Sequence, residues 1–474
     1  MNSRDETPTR VAVIGSGPAG FYAAGHLLKD SNAAIEVDML ERLPTPWGLV
    51  RSGVAPDHPN IKAVSRVYEK TAAHPRFRYF GNVTFGEDVS REDLAAHYHA
   101  IVYATGSPLD RPLQIPGEEL FGSHAATEFV GWYNGHPDHV GLEIDLLSAQ
   151  RAIVIGNGNV ALDVARMLML TREELAPTDT ADHALEVLAA SNVREVIIAG
   201  RRGPAQSAFT NPELLELGEL ADADVDVDAA ELERALSTPD RKAQEHAISR
   251  RNVEIMREYA GRTPDPSRRR VTLRFLLSPL EFIGDQHGHV QAVEFACNEL
   301  VNEDGALRAR ASERRERIEA DLVFRAIGYR GVPLPGVPFD EQRGVIPNDA
   351  GRVMNGSGDA RPGEYVVGWV KRGPTGVIGT NKKDAQETVN SLLADLEATR
   401  AGDTRVLSPE RPQAEALEEL LRERKPDLVT YEGWTEIDRH ERSAGEPAGR
   451  PRVKLTAIEE MLRVAAREGP EEES

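Results

Sequence analysis

An α/β fold with two parallel-sheet domains is predicted by one pattern that occurs twice. The apolar, β-branched run Val11-Ala-Val-Ile14 stops at a glycine turn, and a helical segment from Ala19 to Lys29 follows at once. That is how a buried parallel strand feeds a helix. The same order of strand, glycine turn and helix returns at Ala152-Ile-Val-Ile155, Gly156 and Val160 to Leu170. Two copies of one unit predict two Rossmann-like dinucleotide-binding domains.

The chain between and after these copies gives the domain order. Ala100-Ile-Val-Tyr-Ala-Thr-Gly106 reads as a strand ending in small residues, before Pro108, Pro112 and Pro116 break regular structure. Asp321-Leu-Val-Phe-Arg-Ala-Ile-Gly328 repeats that pattern before Pro333, Pro335 and Pro338. These are the expected outward and return crossings, dividing the chain into 1–108, 109–330 and 331–474. The stretch Asp222 to Arg270 is heavily charged, with candidate helices. Beyond about residue 400 the chain reads as a charged helical extension, ending in a solvated or frayed Glu471-Glu-Glu-Ser474.

Composition narrows the function classes. A chain of 474 residues with 56 basic and 77 acidic side chains carries a formal charge of −21, which argues against general affinity for nucleic acid or anionic membrane. The single cysteine, Cys297, excludes an intrachain disulfide, a CxxC redox pair and a cysteine-ligated iron–sulfur cluster. No metal site is expected. The polar start, Met1 to Arg10, has no signal-peptide form, and no run reaches the ~18 apolar residues that span a bilayer. The cytoplasm is therefore the expected location.

The first loop is Gly15-Ser-Gly17-Pro-Ala-Gly20. Its glycines allow a tight turn, close approach of backbone to a pyrophosphate, and close packing of helix on sheet. The helix start then presents free N–H groups and a positive dipole to the phosphates. Glu41 follows Gly20 by about 21 residues, at the end of Ile35-Glu-Val-Asp-Met-Leu40, where a carboxylate accepts hydrogen bonds from a ribose. A carboxylate there suits an unphosphorylated ribose, as in FAD or NAD.

The second loop, Gly156-Asn157-Gly158-Asn159-Val160-Ala161, has alanine at its third small position. The next strand, Val193 to Ala199, ends in Gly200-Arg201-Arg202. Two guanidinium forks at that point match the geometry and charge of a 2′-phosphate, which favours NADPH over NADH. The arginines come about 43 residues after Gly158 rather than about 20, so an insertion from Thr171 to Asn192 is required.

With these motifs the sequence resembles the adrenodoxin reductase-type ferredoxin-NADP reductases, including their bacterial members. The likeness covers nearly the whole chain. It rests on Val13-Ile-Gly-Ser-Gly-Pro-Ala-Gly-Phe-Tyr22, Trp47-Gly-Leu-Val-Arg-Ser-Gly-Val-Ala-Pro-Asp-His-Pro59, Gly158-Asn-Val-Ala-Leu-Asp-Val-Ala-Arg166, Gly200-Arg-Arg-Gly-Pro204 and Gly368-Trp-Val-Lys-Arg-Gly-Pro-Thr-Gly-Val-Ile378. The resemblance implies an NADP domain inserted into a discontinuous FAD domain. It also implies hydride transfer from NADPH to FAD and single-electron transfer to a ferredoxin. Carried onto this sequence, the FAD contacts include Ala19, Glu41, Leu49, Phe85 through its backbone, Trp369, Gly376, Val377 and Ile378. The NADP contacts include Asn157, Gly158, Asn159, Val160, Arg201, Arg202, Glu213 and Gly376.

The C-terminal segment supports this reading on its own terms. Glu364-Tyr-Val-Val-Gly-Trp369 reads as a strand end, and Gly373-Pro-Thr-Gly376 leads to a helix over Ala385 to Leu393 or its preceding turn. A helix start there would stabilise an anionic reduced flavin ring.

Hydride transfer needs no protein nucleophile, so catalysis rests mainly on positioning. His58 and Asp163 are expected to hydrogen-bond and to tie cofactor position or proton movement to flavin redox state, the alternative for His58 being loop packing. Arg250, Arg251 and Arg257 form a candidate docking patch for an acidic ferredoxin, the alternative being an ordinary charged helix. Rival readings are a disulfide reductase, which the missing cysteine pair opposes, a flavin monooxygenase, and a nucleotide-binding regulatory subunit.

Overall fold

Strand Thr9–Ile14, buried along its whole length, lies inside a seven-stranded sheet of the computed structural model, which describes residues 8–29, 34–238, 240, 245–303 and 306–466. The chain divides into two units. One comprises the residues up to Leu109 and those from Tyr329 onward, the other Asp110 to Gly328.

In the first unit five strands run parallel in the spatial order Ala360–Val366, Ala100–Tyr103, Thr9–Ile14, Ile35–Leu40 and Phe77–Phe80. Two short antiparallel strands, Arg352–Met354 and Asn348–Asp349, extend the edge. Strand order reverses beside Thr9–Ile14, and the first glycine loop leaves from that point, where ligands bind in open α/β sheets. Because Glu364 pairs with Ile101, the C-terminal part of the chain supplies a strand of this sheet.

Helices Pro18–Lys29 and Thr380–Arg400 share one core. Phe21, Ala24 and Leu28 pack there with Ala385, Val389 and Leu396. The helix expected over Ala385 to Leu393 is thus 21 residues long and starts at Thr380. The strand expected to end at Trp369 stops at Val366, and Trp369 opens the short helix Trp369–Arg372.

The C-terminal extension holds helices Ala414–Arg424, Tyr431–Gly445 and Ile458–Ala465. They are part of the core: Leu417 and Leu421 pack with Phe80 and Ile101, and Trp434 and Met461 with Phe21. A buried polar knot adds to this. The Asp38 carboxylate accepts from Arg10, from Arg78 Nε at 2.8 Å and from Tyr98 Oη at 2.6 Å, while Arg10 Nη1 donates to the Gln413 carbonyl at 2.6 Å. The expectation for Glu471 to Ser474 lies outside the described residues.

The second unit is a six-stranded parallel sheet in the order Ser123–Ala125, Leu322–Arg325, Arg151–Ile155, Glu195–Ala199, Arg269–Arg274 and Ala223–Asp226. The insertion between the second glycine loop and its arginines is two helices, Arg172–Leu175 and Asp182–Ala189. The charged stretch read as helical does contain Ala229–Leu236 and Ala247–Ala260, but strands Ala223–Asp226 and Arg269–Arg274 flank them. A three-stranded antiparallel sheet follows, made of Leu277–Gly284, Val290–Glu303 and Ala306–Glu319. The fold is therefore α/β with two Rossmann-like sheets, the second within a discontinuous first, as the sequence predicted. No helix among the described residues is long and apolar enough to cross a membrane.

Candidate dinucleotide sites

The three small positions of the first loop do two different jobs. A Cβ on Gly15 would stand 2.6 Å from the Ala104 carbonyl oxygen, and one on Gly20 would stand 2.2 Å from that of Gly15. Gly15 and Gly20 are thus required by the protein's own backbone. Gly17 is not: a Cβ there would meet no heavy atom within 4 Å. Its bareness keeps one side of the loop open, as close approach of a pyrophosphate demands.

The second loop divides the same way. A Cβ on Gly156 would lie 2.3 Å from the Ala326 carbonyl oxygen, whereas one on Gly158 would meet only Ala208 Cβ, at 3.9 Å. Ala161 at the third position is fully buried against the core of its unit. Each loop therefore has one glycine that the fold does not need and a phosphate cradle does.

In the first unit Ala19 is buried at the start of helix Pro18–Lys29. Glu41 is turned onto the loop: its Oε2 accepts from Ser16 N at 2.9 Å and Ser16 Oγ at 2.6 Å, and its Oε1 from Leu43 N at 3.1 Å. The carboxylate thus fixes the loop as well as lying at the strand end. Leu49 is 38% exposed. Phe85 meets Tyr103 edge-on with ring centroids 5.8 Å apart. Trp369 lies 5.1 Å from the Tyr329 ring, and its buried Nε1 has no hydrogen-bond partner among the described residues. Because a buried indole N–H ordinarily finds an acceptor, this orphan fits a ligand in the first unit.

Gly376, Val377 and Ile378 form the turn into helix Thr380–Arg400. Val377 is 56% exposed and its N–H donates to Thr380 Oγ1 at 3.2 Å, while Ile378 packs on the core. Arg372 secures this turn, donating to the Thr375 carbonyl and, at 2.8 Å, to Asn381 Oδ1. Lys371, buried, reaches Asp384 at 3.1 Å and Glu387 at 2.7 Å, and Asp384 accepts from Gly368 N at 2.5 Å. The sequence reading missed Arg372, Lys371 and Asp384, although their spacing of 12 or 13 residues across a glycine turn was the available signal. His58 is buried, caps helix Pro59–Lys62 and donates its N–H to the Ala55 carbonyl at 3.0 Å.

In the second unit Asn157 accepts from Ala208 N at 2.8 Å through its carbonyl, and its buried Nδ2 has no partner among the described residues. Asn159 opens helix Asn159–Met169, and its Oδ1 accepts from Thr210 N at 2.8 Å. Val160 packs against the core. Asp163 pairs with the buried Arg166 at 2.8 Å, and Arg166 also reaches Glu213 at 3.6 Å. One guanidinium thus holds two carboxylates on neighbouring helices.

Arg201 is exposed and Arg202 half-buried, and among the described residues neither is in an ion pair. Burial, and then the Arg201 charge, pull the Arg202 guanidinium below its usual value. Two neighbouring cations whose charge Asp240 offsets only in part fit a dianionic ligand. Asn298 fixes their loop: its Nδ2 donates to the Arg201 carbonyl and to Ser278 Oγ, both at 2.8 Å.

The arginines of the candidate docking helix have local partners. Arg251 pairs with Glu254 at 3.1 Å and Glu258 at 3.0 Å, Arg257 pairs with Glu233 at 2.7 Å, and Arg250 reaches the Glu245 carbonyl at 3.4 Å. Carboxylates on the same surface match this charge, as on an ordinary solvated helix.

Two glycine-loop sheets in one chain, with a carboxylate at the first and paired guanidiniums at the second, define a class of two-dinucleotide oxidoreductases. The pyridine nucleotide-disulphide oxidoreductase family model matches residues 9–197. The chain is 52% identical over 462 residues to the NADPH-ferredoxin reductase FprA of Mycobacterium tuberculosis (strain ATCC 25618 / H37Rv), covering 96% of this chain and 99% of that protein. It is 40% identical over 478 residues to the mitochondrial NADPH:adrenodoxin oxidoreductase of Arabidopsis thaliana, covering 98% and 97%. The solved structure of Mycobacterium tuberculosis FprA in complex with NADPH matches with a TM-score of 0.91 at 51% identity, over 97% of this chain and 100% of that one. The chain belongs to the adrenodoxin reductase-type ferredoxin-NADP reductase family.

Proposed function

We propose that this protein is a FAD-dependent NADPH:ferredoxin oxidoreductase of the cytoplasm. The observation that carries the reading is the pair of glycines, Gly17 and Gly158, whose missing side chains the fold does not require. When bound, FAD takes a hydride from NADPH and hands its electrons singly to an iron–sulfur protein.

The chain's own residues bind and orient. In the first unit the Gly15–Gly20 loop and the helix start behind it would receive the FAD pyrophosphate, Glu41 would meet the ribose, and Leu49, the Phe85 backbone and Trp369 would make further FAD contacts. The Gly376 to Ile378 turn, at the positive end of helix Thr380–Arg400, would hold the flavin ring, the Val377 N–H being taken by Thr380 Oγ1. In the second unit Asn157 to Val160 receive the NADPH pyrophosphate, and Arg201 and Arg202 clamp the 2′-phosphate. Glu213 is held by Arg166 beside this cradle, and Gly376 serves both cofactors. His58 and Asp163 act together in positioning or proton movement. If Asp163→Asn and His58→Gln leave the pH profile of flavin reduction at its wild-type shape, that assignment is wrong.

A free Cys297 and no disulfide suit the cytoplasm. The deciding experiment is stopped-flow reduction of the yellow protein by NADPH and by NADH, followed by mixing with ferredoxin. NADPH is expected to bleach the flavin faster than NADH, and ferredoxin to restore its colour. A purified protein that holds no flavin, or a flavin that NADPH leaves oxidised, overturns the reading.

A further inference from the structure

Residues Trp47, Gly48 and Leu49 cross the first glycine loop. Trp47 N donates to the Ser16 carbonyl at 3.1 Å, and a Cβ on Gly48 would stand 2.9 Å from Gly17 Cα. Trp47 and Gly48 both have positive φ, 85° and 50°. For a bulky non-glycine residue that conformation is unfavourable and persists only where the surroundings impose it. Phe21 and Tyr68 pack on the Trp47 ring, with centroids 4.7 and 5.7 Å away, and further contacts on this segment come from the far end of the sequence.

The short helix Leu49–Ser52 follows directly, and its Arg51 makes two parallel hydrogen bonds to Glu441, Nη1 to Oε2 at 2.8 Å and Nη2 to Oε1 at 2.5 Å. Glu441, on helix Tyr431–Gly445, is fully buried and also accepts from Arg452 Nη1 at 3.0 Å and Leu455 N at 2.9 Å. Lys454 Nζ donates to the Arg51 carbonyl at 3.2 Å. The Arg51 guanidinium lies 5.4 Å from the Trp434 ring, which meets Trp47 edge-on at 6.1 Å. The C-terminal extension therefore grips Arg51 by side chain and backbone and backs Trp47 with an aromatic ring.

We propose that Glu441 is a positioning residue for the flavin. Through Arg51 it holds Trp47 to Leu49 against Gly17, so that the C-terminal extension sets how firmly the first unit retains FAD. The inference rests on the flavin reading of that unit. Neutralising Glu441 leaves the buried Arg51 facing an amide, while Arg452 keeps Asp438 at 2.6 Å, so the loss falls on the helix next to the crossing segment.

The test uses flavin-loaded full-length protein and follows free-flavin fluorescence after dilution, well below the melting temperature. Glu441→Gln is expected to speed FAD release roughly tenfold or more, Glu441→Asp to restore part of the wild-type rate, and Lys454→Met to speed release about threefold. The affinity of the second unit for 2′,5′-ADP should not change. Glu441→Gln releasing FAD within about twofold of wild type, whatever its melting temperature, overturns the proposal. So does an equal loss of 2′,5′-ADP affinity, which would mark general loosening. If Glu441→Gln does not fold, Lys454→Met decides, and a wild-type release rate in it is fatal. A wild-type protein that carries no FAD instead refutes the flavin reading, and this inference falls with it.

Discussion

At the scale of single residues, Gly17 and Gly20 separate function from fold. Gly17 has no positive φ and no atom near its Cβ position, so Gly17→Val should keep the native circular dichroism and the melting temperature of the flavin-free protein while weakening FAD retention at least ~10-fold. Gly20→Ala should fail to fold, since its Cβ would meet the Gly15 carbonyl oxygen at 2.2 Å. Replacing Arg201 or Arg202 with glutamine should raise the KM for NADPH by about 10- to 100-fold, the value of one charge-assisted hydrogen bond, and leave that for NADH unchanged. Steady-state kinetics with both nucleotides checks this. His124 carries one part of the pH dependence, alongside His26, His99 and His183, which burial shifts the same way. Burial, then the Arg325 charge, lower the His124 pKa from 6.5 to about 4. The unfolded chain therefore takes up a proton below ~6.5 that the folded protein refuses until ~4, and the stabilisation present above that window is lost within it, by about 3 kcal/mol. Urea melts of wild type and His124→Phe across that range should diverge as pH falls, and parallel curves would count against the assignment. The glycines and arginines were legible because each type is chosen for one physical property, whereas His124 was silent because only its burial beside Phe324 makes it unusual.

At the scale of elements, the sequence pattern failed wherever a neighbour supplied the apolar surface. Ala306–Glu319 is rich in arginine and glutamate and alternates only over Leu307 to Ser312, yet it pairs with Val290–Glu303 on both sides of a bulge. Its partner brings Val293 and Phe295 to a core that it joins only through Ile318. Strands Ala223–Asp226 and Arg269–Arg274 hid in the same way, their charges neutralised by pairs such as Arg268 with Asp224 and Arg269 with Asp222. The three-stranded sheet matters to the site because Asn298 on its middle strand holds the Arg201 carbonyl. Asn298→Leu should destabilise the protein by about 1–3 kcal/mol and raise the KM for NADPH more than it lowers kcat. Thermal melts read the first effect and initial rates the second.

At the scale of the molecule, the inserted unit is one continuous stretch with its own core, while the first unit needs both ends of the chain. A fragment of residues 110–328 should melt cooperatively and bind 2′,5′-ADP. A chain truncated after residue 328 should yield no folded first unit, because it lacks strand Ala360–Val366 and the helices that cover Phe21 and Phe80. Limited proteolysis distinguishes these outcomes.

The sequence alone determined the α/β class, the two glycine loops, and the carboxylate and paired guanidiniums proposed to tell their ribose partners apart. These depend on residue type at short spacing, and short-range sterics and hydrogen bonding act between near neighbours in the chain. Only the tertiary structure decided that the extension beyond residue 400 is core, that Arg250, Arg251 and Arg257 are largely matched by local partners, and that Glu441 reaches Arg51 across 390 positions. Those facts arise from burial and ion pairing between distant segments, which no local pattern of residues encodes.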